Sequence, residues 1–505
     1  MKKSIICLLF LAIVLPAFAA GNNQAAANLT EIVVVGPSMG PVPRGLPEVQ
    51  DEVNKIVAPL GIKVKFNIIE TAAYPTNIPL MMASQEKMDL VLSNPRAATN
   101  FTAMLAQNML MDITDIYAKY GSDIKSVVDN LFPGYLDATT LNGKLYGIPG
   151  IYNMVNNYYY FARGDIIDKY NLSFGNLKDM KDVEALLEQV KQLEPTLAPL
   201  VPNQNGHWAF TQQTGFYYPV SFANSIYIDT LGYADPLFVV LFSDPYKVLN
   251  WYKLDQVKQY FLYAHDLYTK GLVYKDGAIM QEMSEEIVKA NKGFSWFINS
   301  EIGAETAKSA QTGYPIKAQL LYSSPVNNTN LKKFAWTVPV YSKNPIQAIQ
   351  FLGKSLTSSE ITNLLDWGIE GRDYVARPDG TIGYPSGVNA QNVPYHSVDF
   401  LWGSQYLAKV WEGNPATLRQ DALKLNKVAI PSPVLGFALD PTPLQNELAA
   451  ITGVIAQYQP GLATGSTVDV EGEYAKFIAA LDNAGMPKVI NTVQQQLDDW
   501  RKTQK

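Results

Sequence analysis

Gly36-Pro37-Ser38-Met39-Gly40 fits the G-x-S-x-G pattern of a serine nucleophile, directly after a run, Glu31 to Gly36, that reads as a buried strand. A nucleophile elbow presents its serine by turning at once into a helix. Pro41 and Pro43 prevent that turn, because proline lacks the amide donor and clashes with the preceding residues of a helix. The three histidines, His207, His265 and His396, have no partner at metal-ligand spacing. Acid pairs such as Glu285-Glu286 and Asp498-Asp499 read as charged helix faces or terminal surface. Glycoside hydrolysis needs two carboxylates held across one bond. Partners distant in the chain could supply them, so a secreted carbohydrate-active enzyme stands as the alternative reading. No catalytic residue, metal or cofactor is assigned.

A second set of residues suits binding rather than turnover. The chain has 29 Tyr, 20 Phe and 8 Trp. Several fall beside polar residues at expected strand ends and loops: Tyr74, Tyr158, Tyr159, Tyr160, Trp208, Trp296, Trp367 and Trp402. Sugars offer a C–H face to an aromatic ring and hydroxyls to amides and carboxylates. Each ring is equally suited to core packing. Trp296 and Trp208 are the leading ligand candidates, whereas Trp500, in the terminal helix, reads as core.

The compartment follows from the N-terminus. Lys2-Lys3, the apolar run Ile5–Leu15, Pro16 and Ala17-Phe18-Ala19 have the layout of a cleavable secretory signal over residues 1–19. The run is shorter than the ~20 residues of a membrane-spanning helix. Cys7, the single cysteine, lies within the run rather than at its end, so a lipid anchor is not expected and the mature chain has no thiol. Cleavage removes two lysines, leaving 38 basic against 46 acidic residues, a net charge of −8. That balance argues against nucleic acid as a partner.

The elements that must position these residues follow from periodicity. Strands are expected at 31–36, 63–69 and 89–92, with helices at 48–58 and 77–84 between them, which predicts parallel strands with crossover helices. Ligands of such sheets sit beyond the carboxyl ends of the strands, here Gly36–Gly40, Glu70–Tyr74 and Ser93-Asn94. Asn142-Gly143 predicts a hairpin turn. Further strands are expected at 157–161, 293–297 and 334–340, and helices at 163–170, 178–193, 255–270, 282–291 and 346–365, with two more across 471–500.

Four stretches carry a resemblance. They are Leu80–Ser84 with Met88–Leu92; Leu141–Pro149; Leu365–Tyr374 with Gly380–Pro385; and Leu435–Pro441 with the helix after it. The chain resembles the extracellular solute-binding proteins of ABC transporters, family 1, carbohydrate type. Within that class it is similar to the LplA-like subgroup with its own C-terminal domain. The resemblance implies an α/β, two-lobed periplasmic-binding-protein-like fold of the type II class, each lobe a mixed sheet flanked by helices, with the ligand cleft between the lobes. It implies an N-terminal lobe of residues 28–152 plus about 341–390, and a C-terminal lobe of 153–340 plus about 391–505. It also implies a monomer that captures a small-molecule carbohydrate, an oligosaccharide by expectation. The receptor would hand it to membrane permease subunits without catalysis, as a free periplasmic protein. By the same resemblance Trp296 would stack on sugar and Ser93 and Asn94 would hydrogen-bond it. Phe437, Trp367 and Glu370 lie in the subgroup's stretches and are included as ligand candidates; for Glu370 a helix-capping role is the alternative.

Overall fold

The computed structural model describes residues 29–95, 99–155, 157–203, 227–233 and 236–504. The expected signal with Cys7, and Trp208, lie outside the described residues.

Strand β1 (Thr30–Ser38) lies between β2 (Ile62–Glu70) and β3 (Leu90–Leu92), parallel to both. Ile32 to Ser38 is buried without interruption, as a strand covered on both faces must be. The crossover helices are Leu46–Val57, which buries Val49, Val53 and Val57, and Tyr74–Ala83. The chain adds β4 (Ile148–Pro149) and then leaves this sheet. A second sheet takes β5 (Asn157–Arg163), β6 (Ala198–Leu200), β7 (Gly293–Ser300) and β8 (Ile316–Ser323). The chain then returns as β9 (Ala335–Thr337), which enters the first sheet antiparallel to β3 and β4. The orders are β2-β1-β3-β9-β4 and β8-β5-β7-β6. The parallel sheet expected from the first three strands is thus a mixed sheet.

Strand β5 shows why two faces need covering. Tyr160 and Ala162 point into the large second-lobe core, whereas Tyr159 and Phe161 point into a smaller cluster on the other face. Three C-terminal helices, Gln445–Thr464, Val470–Asn483 and Met486–Thr503, complete the large core through Phe477, Leu481, Val489, Val493 and Leu497. The helix expected over 346–365 is two helices, Pro345–Thr357 and Ser359–Trp367. Ser358 divides them: its backbone is extended and its hydroxyl accepts from the Ile361 amide at 3.2 Å. The segment beyond residue 390 also differs from expectation. Tyr395, Leu401 and Trp402 pack in the first-lobe core, and second-lobe packing resumes only at Val434.

Three segments therefore join the lobes, around 151–155, 324–334 and 426–437. Asn426, fully buried, pins the first of them: its amide accepts from the Met154 N–H at 3.0 Å and donates to the Tyr152 carbonyl at 3.0 Å. Removing it strands two buried backbone groups, each worth about 1–3 kcal/mol. Asn426→Ala is therefore expected to lower stability by about 2–3 kcal/mol, read from the midpoint of urea unfolding. An unchanged midpoint would show that the crossing segment does not depend on this clamp.

Candidate functional site

The first lobe presents the carboxyl ends of β1, β2 and β3 to the junction. Ser38 closes β1, and its hydroxyl donates to the Pro41 carbonyl at 3.3 Å. The chain becomes helical only at Leu46, so Ser38 is not on an elbow. Beyond β3 stand Ser93 and Asn94. Ser93 is bolted to β9: its hydroxyl accepts from the Ala335 amide at 2.8 Å. Asn94 is different. It is 1% exposed, and neither its side-chain oxygen nor its nitrogen has a hydrogen-bond partner. The buried Thr99 hydroxyl, across a backbone bond from Asn94 to the Thr99 carbonyl, is equally unpaired.

The second lobe presents the start of β5 beside the ends of β7 and β8, since Asn157 pairs with Ser300 and Ser323. Asn157 is fully buried; its oxygen accepts from the Ser323 hydroxyl at 2.7 Å, while its amide nitrogen has no acceptor. The Ser324 hydroxyl is also buried and unpaired. Glu301 follows β7 and meets the first lobe through Gln405, whose amide donates to it at 3.2 Å. Gln405 also donates to Asp399 at 3.3 Å and accepts from the Asn153 amide at 2.8 Å. Asp399 in turn pairs with Arg419. Water reaches Glu301, yet the protein mass around it and then the Asp399 carboxylate raise its pKa from 4.5 to about 7.

The structure separates the predicted ligand residues. Trp296 is fully buried and stacks on Phe161 at 5.4 Å, so it offers no ring face to a solute here. Its cross-strand partner in the ladder is that same phenylalanine. Tyr74 is buried under β3, its hydroxyl donating to the Leu92 carbonyl at 2.6 Å. Trp402 fills the space a side chain at position 36 would need: a Cβ on Gly36 would lie 2.6 Å from its ring. Trp367 is buried with its indole donating to the Lys409 carbonyl at 3.2 Å. Phe437 is buried edge-on to Trp500, at 5.9 Å. Tyr159 is buried beside Phe161, and Tyr158, half-buried, faces Tyr322 at 6.2 Å.

Glu370 is exposed, 3.4 Å from Lys409 and in reach of the Tyr374 hydroxyl, and caps no helix. Within its stretch the structural work falls to buried Asp373, which accepts from the Ile369 amide at 2.8 Å and the Tyr395 amide at 3.2 Å. Glu301, Asp399, Gln405 and Arg419 are functional candidates the sequence reading missed. The available signal was Ser300-Glu301, a polar pair ending an aromatic strand.

Among the described residues no cluster of His, Cys, Asp and Glu could hold a metal ion, and no helix is long and apolar enough to cross a membrane.

Residues 57–369 match the family described as bacterial extracellular solute-binding protein, and residues 433–502 match a domain of unknown function, DUF3502. A relative from Streptococcus pneumoniae serotype 4, a carbohydrate ABC transporter substrate-binding protein, is 24% identical over 96% of this chain and 94% of its own. The crystal structure of the N-glycan transport solute binding protein NgtS from Streptococcus pneumoniae matches 94% of this chain and 100% of that one, with a TM-score of 0.78 and 22% identity. The same protein in complex with Man5GlcNAc matches 94% of this chain and 99% of its own, at 0.65 and 21%.

Two outcomes follow from this geometry. Trp296→Ala is expected to unfold readily, losing about 3–5 kcal/mol, as truncating a buried tryptophan does; a denaturation midpoint within error of the parent would mean that the ring is not core. Glu301 holds its proton to higher pH when folded than when unfolded, so its contribution to stability is complete below about pH 4.5 and lost as pH rises through about 7. The thermal midpoint should fall across that window, and Glu301→Gln should flatten the fall. Parallel curves for the two proteins would remove Glu301 as the cause.

Proposed function

We propose that this chain, which belongs to the bacterial extracellular solute-binding protein family, captures a neutral oligosaccharide between its lobes and delivers it to the permease of an ABC importer. The observation that carries the reading is Asn94. A fully buried amide with no partner is destabilising by about 1–3 kcal/mol, and it calls for an explanation, of which a polar partner supplied from outside the fold is one. Thr99 on the same lip, with Asn157 and Ser324 on the other, makes a set of buried donors and acceptors without formal charge. Hydroxyl groups are their complement. The carbohydrate relatives support the same choice of ligand class.

Two further observations support movement of the lobes. The chain passes between the lobes in three segments. The structure also superposes better on one NgtS structure, at 0.78, than on the Man5GlcNAc complex of that protein, at 0.65, a spread that hinge motion between two arrangements would give. The chain works as an exported monomer, released from its signal and not lipid-anchored, and so reaches its permease by diffusion.

A thermal-shift screen over mono- and oligosaccharides tests this, since a ligand that binds only the folded state raises its melting temperature by mass action. At least one oligosaccharide should raise it and be recovered unchanged; hydrolysis of the sugar would favour a carbohydrate-active enzyme. Asn94→Leu should abolish the ligand-induced shift while leaving the ligand-free protein as stable as before, because the native amide makes no hydrogen bond to lose. Normal binding by that variant would sink the assignment of Asn94.

A further inference from the structure

A cavity of about 600 Å³ opens beyond the carboxyl end of β1, within the size range of small-molecule sites. Its floor is the turn from Ser38 to Arg44; its wall is the segment from Ala390 to Val398, with Tyr384. Only Ser38, Met39 and Gly40 of this lining fall in a stretch where the sequence places a ligand. The cavity adjoins the junction between the lobes at two points. Ser38 ends β1, between β2 and β3 in the first sheet, and Val398 precedes Asp399, which Gln405 links to Glu301.

The wall is aromatic and half-exposed. Tyr384 and His396 stand 5.8 Å apart, and Trp411 backs both, its ring 4.7 Å from Tyr384 and 4.8 Å from His396. Trp367, behind His396 at 5.1 Å, fixes the imidazole from the core side. The His396 Nδ1 atom is buried and has no partner. Burial holds the imidazole pKa below its usual value, against the pull of Asp399 and Asp373, so the ring is neutral near pH 7 and keeps one acceptor nitrogen. A neutral, ring-walled pocket with unused hydrogen-bonding capacity suits one pyranose unit: the C–H face against the rings, hydroxyls toward His396 and Ser397.

Resting on the receptor reading above, we propose that this cavity is an outer subsite that holds a saccharide unit beyond those gripped between the lobes, and so selects for longer oligosaccharides. A short glycan would fill only the junction at Asn94; a longer one would extend past Ser38 onto the Tyr384–His396 wall. The turn at Ser38–Arg44 is tied to that wall by the Arg44 guanidinium, which donates to the Asn392 carbonyl, so the pocket keeps its shape without a ligand.

Titration calorimetry with Man1GlcNAc and Man5GlcNAc separates the possibilities. Tyr384→Ala should weaken Man5GlcNAc by about three- to tenfold, the worth of one aromatic contact, and leave Man1GlcNAc within about twofold. Ala390→Trp keeps every ring and fills the cavity from an exposed position; it should give the same selective loss even if Tyr384→Ala proves unstable. Equal weakening of both glycans, or of neither, in the Ala390→Trp protein overturns the subsite while leaving the receptor reading intact. A parent protein that binds neither glycan overturns the subsite, and the thermal-shift screen then decides the receptor reading by itself.

Discussion

Everything in this molecule depends on how three passing segments are held together where they cross between the lobes. Each is tied to the other two. Asn426 on the third grips Tyr152 and Met154 on the first. Asn328 on the second donates to the Val434 carbonyl at 2.8 Å and accepts from the Gly436 amide at 2.8 Å on the third. The Tyr152 hydroxyl on the first donates to the Asn330 carbonyl on the second at 3.0 Å. These are side chain to backbone bonds in a buried setting, so they fix which residue lies beside which. Large side chains add to them only in part: Tyr152 on the first segment packs edge-on to Phe334 on the second at 6.1 Å. A joint built this way keeps its register while the segments bend, which is what relative movement of two intact cores requires.

The first three strands and their helices were legible because each signal is local. A central parallel strand reads as an unbroken apolar run, and Val49, Val53 and Val57 recur at helical spacing. The Asn142-Gly143 turn was legible for the same reason: both residues take positive φ, 52° and 75°, which these types tolerate best. Strand β9 was legible as extended chain but not as a member of the first sheet. Its pairing with β3 joins residues more than 240 positions apart, and nothing within Ala335–Thr337 encodes that partner. Residues 395–402 were assigned to the wrong lobe on the same account. Tyr395, Leu401 and Trp402 are apolar in either core, and only packing tells which one receives them.

The site was legible in part, and the division has one physical cause. A tyrosine or tryptophan that stacks on a sugar and one that stacks on a phenylalanine have the same composition around them. Trp296 lies opposite Phe161, and that long-range register decides its role. Asn94, which the resemblance pointed to, stands at the carboxyl end of a parallel strand, where ligands of such sheets sit. Ser93, its neighbour in the same position, was taken for the same kind of residue, yet its hydroxyl is used up on β9. Tyr384 lies in a stretch that carries the family resemblance, but neither it nor Trp411 signals a pocket wall, since that wall exists only once residues 384 to 411 fold back on themselves.

The unpaired groups and the waist together explain where the work of closing would come from. A hinged protein needs its ligand to favour the closed arrangement over the open one; equal affinity for both moves nothing. Residues that already have partners cannot supply that difference. The unpaired ones can. Asn94 and Thr99 follow β3 in the first lobe, Asn157 and Ser324 stand at β5 and after β8 in the second, and all four are buried. At about 1–3 kcal/mol for each group satisfied, a ligand bridging both lips reaches the roughly 5.5 kcal/mol that turns a rare state into the dominant one. On the receptor reading proposed above, a solute with hydroxyls on both faces would bridge them at once. On that reading, the demand for closure and the preference for a polyol would rest on the same few side chains.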